Sequence, residues 1–336
     1  MDKKTMTETI HDTDFGMVVS MIREARQRAY RAANSELINL YWKVGEYLSN
    51  RMHSDGWGKG VVVQLAAYIQ SKEPNVKGFS DKNLWRMKQF YETYKDYPEL
   101  STLSRELSWS HNILLLSKCS TNEEREYYIR KSLYENYSYR ELERQIDSSD
   151  YERTLIGGAK LSTLQRVLPA TVTQNFKEQY VLDFLNINEP IREDDLQKGL
   201  VREMKRFILE LGKDFLFMGD EYRLQVGSKD FYIDLLFYHR SLRCLVAFEL
   251  KTTDFKPDYL GQLNFYLEAL DRDVRKPDEN PSIGVLLCKG KDDEVVEYAL
   301  SRSMSPTMVS QYELALPNKE ILQAKLRELG ETNNMN

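Results

Sequence analysis

Apolar side chains recur at intervals of three and four residues through the first half of the chain, the spacing that places them on one face of an α-helix. The pattern predicts a helical segment from Phe15 to about Met52, a second helix from about Lys59 to Ser71, and a third from Asp81 to about Lys95. Ser80 is placed to cap the third helix, because a serine side chain accepts a hydrogen bond from the free N–H groups of a first helical turn. The first half is therefore expected to be mostly helical.

The pattern changes in the second half, where β-branched, aromatic and aliphatic residues form short runs. The runs Phe231–Tyr238 and Cys244–Leu250 are separated by a short polar stretch of the right size for a hairpin connection. Helical periodicity follows from Pro257, and the apolar run Ser282–Cys288 is typical of a strand in a parallel sheet. Helices and strands in this order predict an α/β sandwich with a mixed sheet.

These patterns predict an α+β protein with two domains. We expect a flexible tail over residues 1–14, a helical domain over residues 15–153, a connector over residues 154–175, and an α/β domain over residues 176–330. The pair Gly157-Gly158 marks the end of the helical half.

Charged residues interrupt the two hairpin strands where a buried strand is normally apolar. Asp234 lies in the first strand, and Glu249 and Lys251 lie at the end of the second. Side chains alternate across a strand, so Glu249 and Lys251 share one face, and the short turn can bring Asp234 near Glu249. Burying such charges is costly unless they are paired or hold a metal, and two carboxylates suit Mg²⁺ or Mn²⁺.

A plainer interpretation of these residues stays open at this point. Glu-x-Lys is a common tripeptide, and Glu249 with Lys251 can form a surface ion pair at a sheet edge, which contributes little stability. Asp234 within an otherwise apolar strand favours the chemical interpretation.

The helix after Pro257 carries two polar candidates, Gln262 and Tyr266, which are four residues apart and share one face. They can reach back towards the strand ends, or they can be ordinary residues on the flank of an amphipathic helix.

In the first half, two helices flank a turn that contains Gly78, and Lys82, Arg86 and Gln89 share one face of the second helix. This is a helix-turn-helix pattern, in which arginine and glutamine read bases in a major groove. The alternative is a plain helical hairpin with a solvated face.

The net charge, the cysteine content and the absence of long apolar runs restrict the classes of protein to which the chain can belong. The chain has 336 residues, a formal net charge of −5 and three cysteines without metal-ligand spacing. The N-terminus has no apolar signal-peptide core, and no run of about 18 apolar residues is present, so we expect a cytoplasmic protein without a membrane segment. Any contact with nucleic acid must come from local basic patches, since the chain as a whole is acidic.

Longer strings around these residues resemble a known family. The stretches F-Y-I-D-L-L-F-Y-H, L-R-C-L-V-A-F-E-L-K and F-K-P-D-Y-L-G-Q-L-N-F-Y-L resemble the YhcG-type family of PD-(D/E)XK nucleases, as do L-Y-W-K-V-G, G-F-S-D-K-N-L-W-R-M and L-S-W-S-H in the first half. The resemblance implies a winged-helix-like N-terminal domain and a restriction-endonuclease-like C-terminal domain. The stretch from Leu100 to Leu107 is the candidate for the wing.

The resemblance also implies an activity, namely metal-dependent hydrolysis of phosphodiester bonds by an endonuclease. Asp234 and Glu249 would hold Mg²⁺ or Mn²⁺, with the backbone carbonyl of Leu250 as a further ligand, and Lys251 would act on the attacking water. Gln262 and Tyr266 would position the lysine or a phosphate oxygen.

Nucleases of this class often add an acidic residue from the first helix of the domain. Glu203 is the candidate because it falls on the apolar stripe of the predicted helix Ile191–Gly212, and Glu210 is the alternative. The expected partner is nucleic acid, DNA before RNA, with Lys82, Arg86 and Gln89 as DNA-binding candidates. A homodimer is also expected, since two sites cut both strands of a duplex most easily. The rival hypothesis is a DNA-binding protein that uses the nuclease fold or the helix-turn-helix without catalytic turnover.

Overall fold

The computed structural model describes residues 3–54, 56–156, 176–187, 190–301, 303 and 305–333, with side chains from residue 15 to residue 327. The chain divides into two compact units, residues 1–143 and 144–336. The connector expected at residues 154–175 lies mostly outside the described residues. The boundaries at residues 15, 153 and 176 stay predictions.

The first unit is built from helices. In chain order they are α1 (Lys3–Ser54), α2 (Lys59–Lys72), α3 (Asp81–Tyr94), α4 (Pro98–Ser104), α5 (Trp109–Lys118) and α6 (Asn122–Glu135), and α7 (Tyr139–Asp147) crosses the division between the units. The predicted cap is confirmed, because the Ser80 side chain accepts a hydrogen bond from the Asn83 N–H at 3.3 Å.

The core of the first unit lies where the second half of α1 packs on α3. Ile38 and Leu48 of α1 are fully buried, as are Leu84, Met87 and Phe90 of α3. The helices approach closely because Gly45 has no side chain, and a Cβ there would collide with the Met87 carbonyl oxygen. This close contact between the two backbones fixes the position of α3 against α1.

The structure bears on two predictions for the N-terminal half, the flexible tail and the wing. The backbone is already helical from Lys3, within α1, although the mobility predicted for residues 1–14 stays a prediction. The wing is not confirmed, since Pro98–Ser104 is helix α4 and no strand occurs in residues 3–54 and 56–143. Proline at the start of this segment favours a helix, because its fixed φ angle suits a first helical turn.

A six-stranded sheet forms the centre of the second unit. Its strands are β1 (Gln179–Val181), β2 (Phe215–Val226), β3 (Lys229–His239), β4 (Cys244–Leu250), β5 (Ile283–Cys288) and β6 (Thr307–Glu313). They lie in the order β1-β6-β5-β4-β3-β2. The β2–β3 and β3–β4 pairs are antiparallel and the other pairs are parallel, so the mixed sheet predicted from the sequence is confirmed.

Helices cover both faces of the sheet. They are α8 (Asp150–Ile156), α9 (Glu193–Arg202), α10 (Met204–Leu211), α11 (Tyr259–Ala269), α12 (Asp293–Leu300) and α13 (Lys319–Asn333), with short helical turns at Asp183–Leu185 and Leu270–Val274. Alternation along β4 separates two cores. Phe248 and Leu250 pack with residues of α9 and α10, whereas Leu245 and Ala247 pack with residues of α11 and α12. The end of β4 is therefore enclosed on both sides.

Within the part of the chain that the structure describes, every helix is too short or too polar to span a bilayer. The cytoplasmic location stays a prediction.

A buried ion cluster joins the start of the second unit to the sheet. Glu210 of α10 is fully buried, and its carboxylate contacts Arg144 at 2.8 Å, Lys177 at 3.2 Å and Arg153 at 3.3 Å. It also accepts a hydrogen bond from the Val181 N–H of β1 at 3.1 Å. The cluster explains why residues from Arg144 onwards belong to the unit of the sheet.

The electrostatics of Glu210 favour the ionised form. Burial raises the pKa of this carboxyl, but the charges of Lys177, Arg153 and Arg144 overcome that effect and lower it to about 2. Because the pKa of this carboxyl is lower in the folded state than in the unfolded state, it stabilises the folded protein at pH values above the unfolded-state pKa of about 4.3. This stabilisation is lost as the pH falls from about 4.3 towards 2.

We expect Glu210→Gln to lower the free energy of unfolding at pH 7 by about 3 kcal/mol, because it removes the carboxylate that three buried or half-buried cations share. The ion pairs that these cations keep with Asp150 and Asp183 balance their charge only in part. Urea unfolding of parent and variant between pH 7 and pH 3 measures the difference. The difference should shrink as the pH falls from about 4.3 towards 3, because the unfolded parent takes up a proton there while the folded parent, with a pKa of about 2, does not. The control is Glu203→Gln, which removes a partly exposed carboxylate that lies 3.7 Å from Arg206. Equal effects of the two substitutions at pH 7 would contradict this account.

Candidate active site

The candidate site lies at the end of the β3–β4 hairpin, where the ladder between these strands stops. The last pair is Leu235 opposite Phe248, and the same register places Asp234 opposite Glu249 on one face of the sheet. The Asp234 carboxylate accepts a hydrogen bond from the Leu250 backbone N–H at 2.7 Å. The Asp234 side chain thus accepts the hydrogen bond that the backbone of a longer β3–β4 ladder would otherwise accept. This contact holds Asp234 beside the end of β4.

Glu249 is the most deeply buried charged residue at this strand end, with 2% of its surface exposed. Its Oε1 atom accepts a hydrogen bond from the Lys251 ammonium at 3.0 Å. Its Oε2 atom is buried and has no hydrogen-bond partner among the described residues. A buried carboxylate oxygen without a donor is costly, so this atom is a candidate ligand for a cation.

Lys251 is 8% exposed and lies between two carboxylates. In addition to Glu249, its ammonium donates to Glu193 of α9 at 3.3 Å, and it lies 5.4 Å from the centre of the Tyr259 ring. Burial lowers the pKa of the lysine, but the neighbouring carboxylates outweigh this and raise it overall. Lys251 is therefore an ammonium ion at neutral pH.

Burial also raises the pKa of both carboxyls. For Asp234 the hydrogen bond from Leu250 and the charge of Lys251 counteract burial, yet the pKa stays above its usual value. For Glu249, burial and the neighbouring charge of Asp234 together raise the pKa to about 7. Two carboxylates held this close repel each other, and a positive ion between them would relieve that repulsion.

The chemistry of these groups fits a divalent cation with hard oxygen ligands. Asp234 and Glu249 supply carboxylate oxygens, and the Leu250 carbonyl is next to Glu249 in the chain. The described residues contain no group of three or more histidine, cysteine, aspartate or glutamate side chains placed to hold a metal. Any ion here would thus complete its coordination with backbone oxygen, water or substrate, as Mg²⁺ does.

Helix α11 brings the two further candidates to this face of the sheet. Gln262 donates a hydrogen bond to the Tyr266 hydroxyl at 2.8 Å, so the two side chains act as a pair. Tyr266 is buried, whereas Gln262 is exposed. Burial is the main reason why the pKa of Tyr266 is raised, and the charges of Glu249 and Asp234 add to the effect. Tyr266 therefore lies within the electrostatic reach of both carboxylates, and the catalytic roles of Gln262 and Tyr266 stay predictions.

The position of Glu203 differs from the expectation. The predicted continuous helix is broken at Glu203 into α9 and α10, so this residue leaves the apolar stripe. Its carboxylate is partly exposed and lies 3.7 Å from Arg206. The alternative, Glu210, belongs to the buried ion cluster with Arg144 and Arg153. These contacts of the two carboxylates are thus with arginines outside the strand end, and a metal-binding role for Glu203 stays a prediction.

Sequence reasoning missed Glu193, which is the residue of α9 that reaches Lys251. It also missed Gln197, whose amide donates to the Asp234 backbone carbonyl at 2.9 Å and so ties α9 to β3. A signal was present, because Glu193 and Gln197 are four residues apart and precede Leu200 on the same face of the helix.

The three DNA-binding candidates of the first half lie on one exposed face of a helix, as the sequence pattern predicted. Lys82, Arg86 and Gln89 are all exposed on α3, the second helix of the predicted helix-turn-helix. Their contact with DNA stays a prediction.

Two family models and a relative match this chain. Residues 173–327 match the family model described as YhcG PDDEXK nuclease domain, and residues 17–153 match the DUF1016 N-terminal domain. The chain is 30% identical to the Escherichia coli (strain K12) protein named "Putative nuclease YhcG", over 95% of this chain and 93% of that protein.

Two solved structures show a partial likeness. One is a repair endonuclease from Pyrococcus abyssi, with 16% identity and a TM-score of 0.26 over 39% of this chain and 50% of the other. The second is the EndoMS–dsDNA2 complex, with 14% identity and a TM-score of 0.27 over 40% of this chain and 49% of the other. The chain thus spans about half the length of each of these structures.

The match over 93% of a relative's length, and to both family models in order, shows that the chain belongs to the YhcG family of PD-(D/E)XK nucleases.

Proposed function

We propose that the protein is a metal-dependent endonuclease that hydrolyses phosphodiester bonds in DNA, with Mg²⁺ or Mn²⁺ as the ion. The observation that supports it is the convergence of Asp234, Glu249 and Lys251 at one strand end, with a buried Glu249 oxygen left without a partner. The bound ion would neutralise negative charge that develops on the phosphoryl oxygens.

The side chains of the site have distinct roles in this proposal. Asp234, Glu249 and the Leu250 carbonyl would hold the ion. Lys251 orients or activates the attacking water and stabilises the negative charge of the transition state. Glu193 holds the lysine in place from α9. Gln262 and Tyr266 orient the lysine or a phosphate oxygen from α11.

The N-terminal unit supplies affinity for DNA in this proposal, with Lys82, Arg86 and Gln89 as its helix-turn-helix candidates. Two copies of the chain would provide one site for each strand of a duplex, so a homodimer is part of the proposal.

We expect Asp234→Asn and Lys251→Ala each to reduce cleavage about a thousandfold or more, because each removes several kcal/mol of transition-state stabilisation. The measurement is nicking of supercoiled plasmid, linear duplex and a four-way junction with Mg²⁺, Mn²⁺ or EDTA. EDTA should abolish cleavage by the parent, and DNA binding by both variants should persist.

Cleavage by Asp234→Asn at the parent rate would refute the assignment of the site. A folded parent that binds DNA and cuts none of the three substrates would favour the rival, a DNA-binding protein without turnover. The same assay on an RNA substrate decides between DNA and RNA.

We expect Glu193→Gln to lower cleavage about tenfold while leaving DNA affinity unchanged, because the variant keeps a hydrogen-bond acceptor but loses the charge that holds Lys251. The matched control is Asp194→Asn, which removes an exposed carboxylate from the same helical turn. Single-turnover rates and binding curves measured on one DNA substrate separate the two effects. A role for Glu193 is excluded if both variants cleave at the parent rate.

A further inference from the structure

An open groove in the first unit carries a concentration of positive charge that the proposed catalytic site does not use. Its volume is about 590 Å³, and one wall is a face of α1 with Arg23, Arg26 and Arg31. All three arginines are exposed. Sites that hold small molecules measure about 300–1,000 Å³, so the groove is large enough for nucleotide-sized groups.

The three arginines are free to meet an anion. Among the described side chains, none of them lies within ion-pair distance of a carboxylate, whereas Arg28 on another face of the same helix pairs with Glu24 at 3.7 Å. Glu106 is the acidic residue of the groove lining, so three positive charges face one negative charge. The groove is therefore strongly cationic, in a chain whose formal net charge is −5.

An aromatic ring lies within this basic wall. Tyr30 is 77% exposed and lines the groove one residue before Arg31. Gln27 and Asn34 belong to the same helical face and also line the groove, so amide groups flank the ring. A cationic track with an exposed aromatic side chain is the arrangement on which single-stranded nucleic acid binds, because phosphates follow the charges and a base stacks on the ring.

The groove is held open by fixed contacts. Asn34 of α1 donates a hydrogen bond to the Leu107 carbonyl at 3.0 Å, which ties α1 to the turn between α4 and α5. Ser108 in that turn is hydrogen-bonded to the His111 ring at 2.6 Å. Asn136, which ends α6 in a left-handed conformation with φ 56°, completes the far wall. These contacts fix the wall opposite the arginines.

The length of the basic wall suits several phosphates. Arg23 and Arg31 are eight residues apart, which corresponds to about 12 Å along a helix axis. Successive phosphates of an unpaired strand are separated by the length of one nucleotide, which is shorter than this span. The wall is thus long enough to contact more than one phosphate of a strand.

We infer that this groove binds an unpaired stretch of nucleic acid, with phosphates on Arg23, Arg26 and Arg31 and a base stacked on Tyr30. The inference rests on the proposed function, since it assigns to the nuclease a second contact with its substrate, separate from the helix-turn-helix face. It makes DNA with single-stranded segments the preferred substrate class.

Fluorescence anisotropy with the full-length chain in EDTA tests the groove without cleavage. The probes are a labelled single-stranded oligonucleotide, the corresponding blunt duplex, and labelled polyglutamate. We expect Tyr30→Ala to weaken single-strand binding about tenfold, and Tyr30→Phe to restore it, because the stacking surface is kept. Arg23→Gln and Arg26→Gln should each reduce the slope of log affinity against log salt by about 0.7.

Two matched controls remove equivalent groups elsewhere in the same unit. Arg28→Gln takes one arginine from another face of α1, and Tyr68→Ala takes a 61% exposed tyrosine from α2. Both controls should bind the single strand as the parent does. Circular dichroism of every variant confirms that a loss of binding is not a loss of helix.

Several outcomes would overturn the inference. They are a parent that does not bind the single strand, groove variants that bind it as well as the parent, an equal loss of single-strand and duplex binding, and polyglutamate binding as tight as single-strand binding. Plasmid cleavage by the parent with Mg²⁺ or Mn²⁺, measured in parallel, keeps the proposed function separate. Cleavage without groove-dependent binding refutes the groove alone, and groove-dependent binding without cleavage refutes the nuclease proposal alone.

Discussion

The hydrogen bond from the Leu250 N–H to the Asp234 carboxylate fixes the geometry on which the rest of the site depends. It forms where the β3–β4 ladder has ended, so it supplies a backbone donor with the partner that a strand would otherwise provide. It also keeps Asp234 beside Glu249, although two carboxylates repel each other. The surrounding sheet is apolar and covered on both faces, so the arrangement is stable only if cations or hydrogen-bond donors compensate it.

Lys251 supplies part of that compensation, and its own environment decides how it can act. It is shared between Glu249 and Glu193, so it links the end of β4 to the first turn of α9. Gln197, one turn further along α9, binds the backbone of β3 beside the same carboxylate. The site is thus held by strands β3 and β4 and by helix α9, which lie in different parts of the second unit. What remains uncompensated is the Glu249 Oε2 atom, and an arriving divalent ion would satisfy it.

In the proposed function the two units have different roles. The two carboxylates of the candidate site lie in the unit of the sheet, where a low dielectric environment would strengthen the effect of every charge on the reacting group. The exposed arginines of the groove lie in the helical unit, where they would attract a polyanion without the cost of burial. An acidic chain can therefore still bind nucleic acid, because its positive charge is concentrated locally.

The sequence by itself determined the helical first half, the mixed sheet of the second, and the convergence of Asp234, Glu249 and Lys251. These features follow from local periodicity and from the length of one hairpin turn, which adjacent residues decide. Tertiary structure alone decided that Glu193 meets Lys251, since the two residues are far apart in the chain and meet through helix packing.

Tertiary structure also decided the break at Glu203, which shifts the helix register, and the groove beside Arg23, whose walls come from three separate segments. A periodic pattern shows which face of an element is apolar, but it does not show which distant element will lie against it.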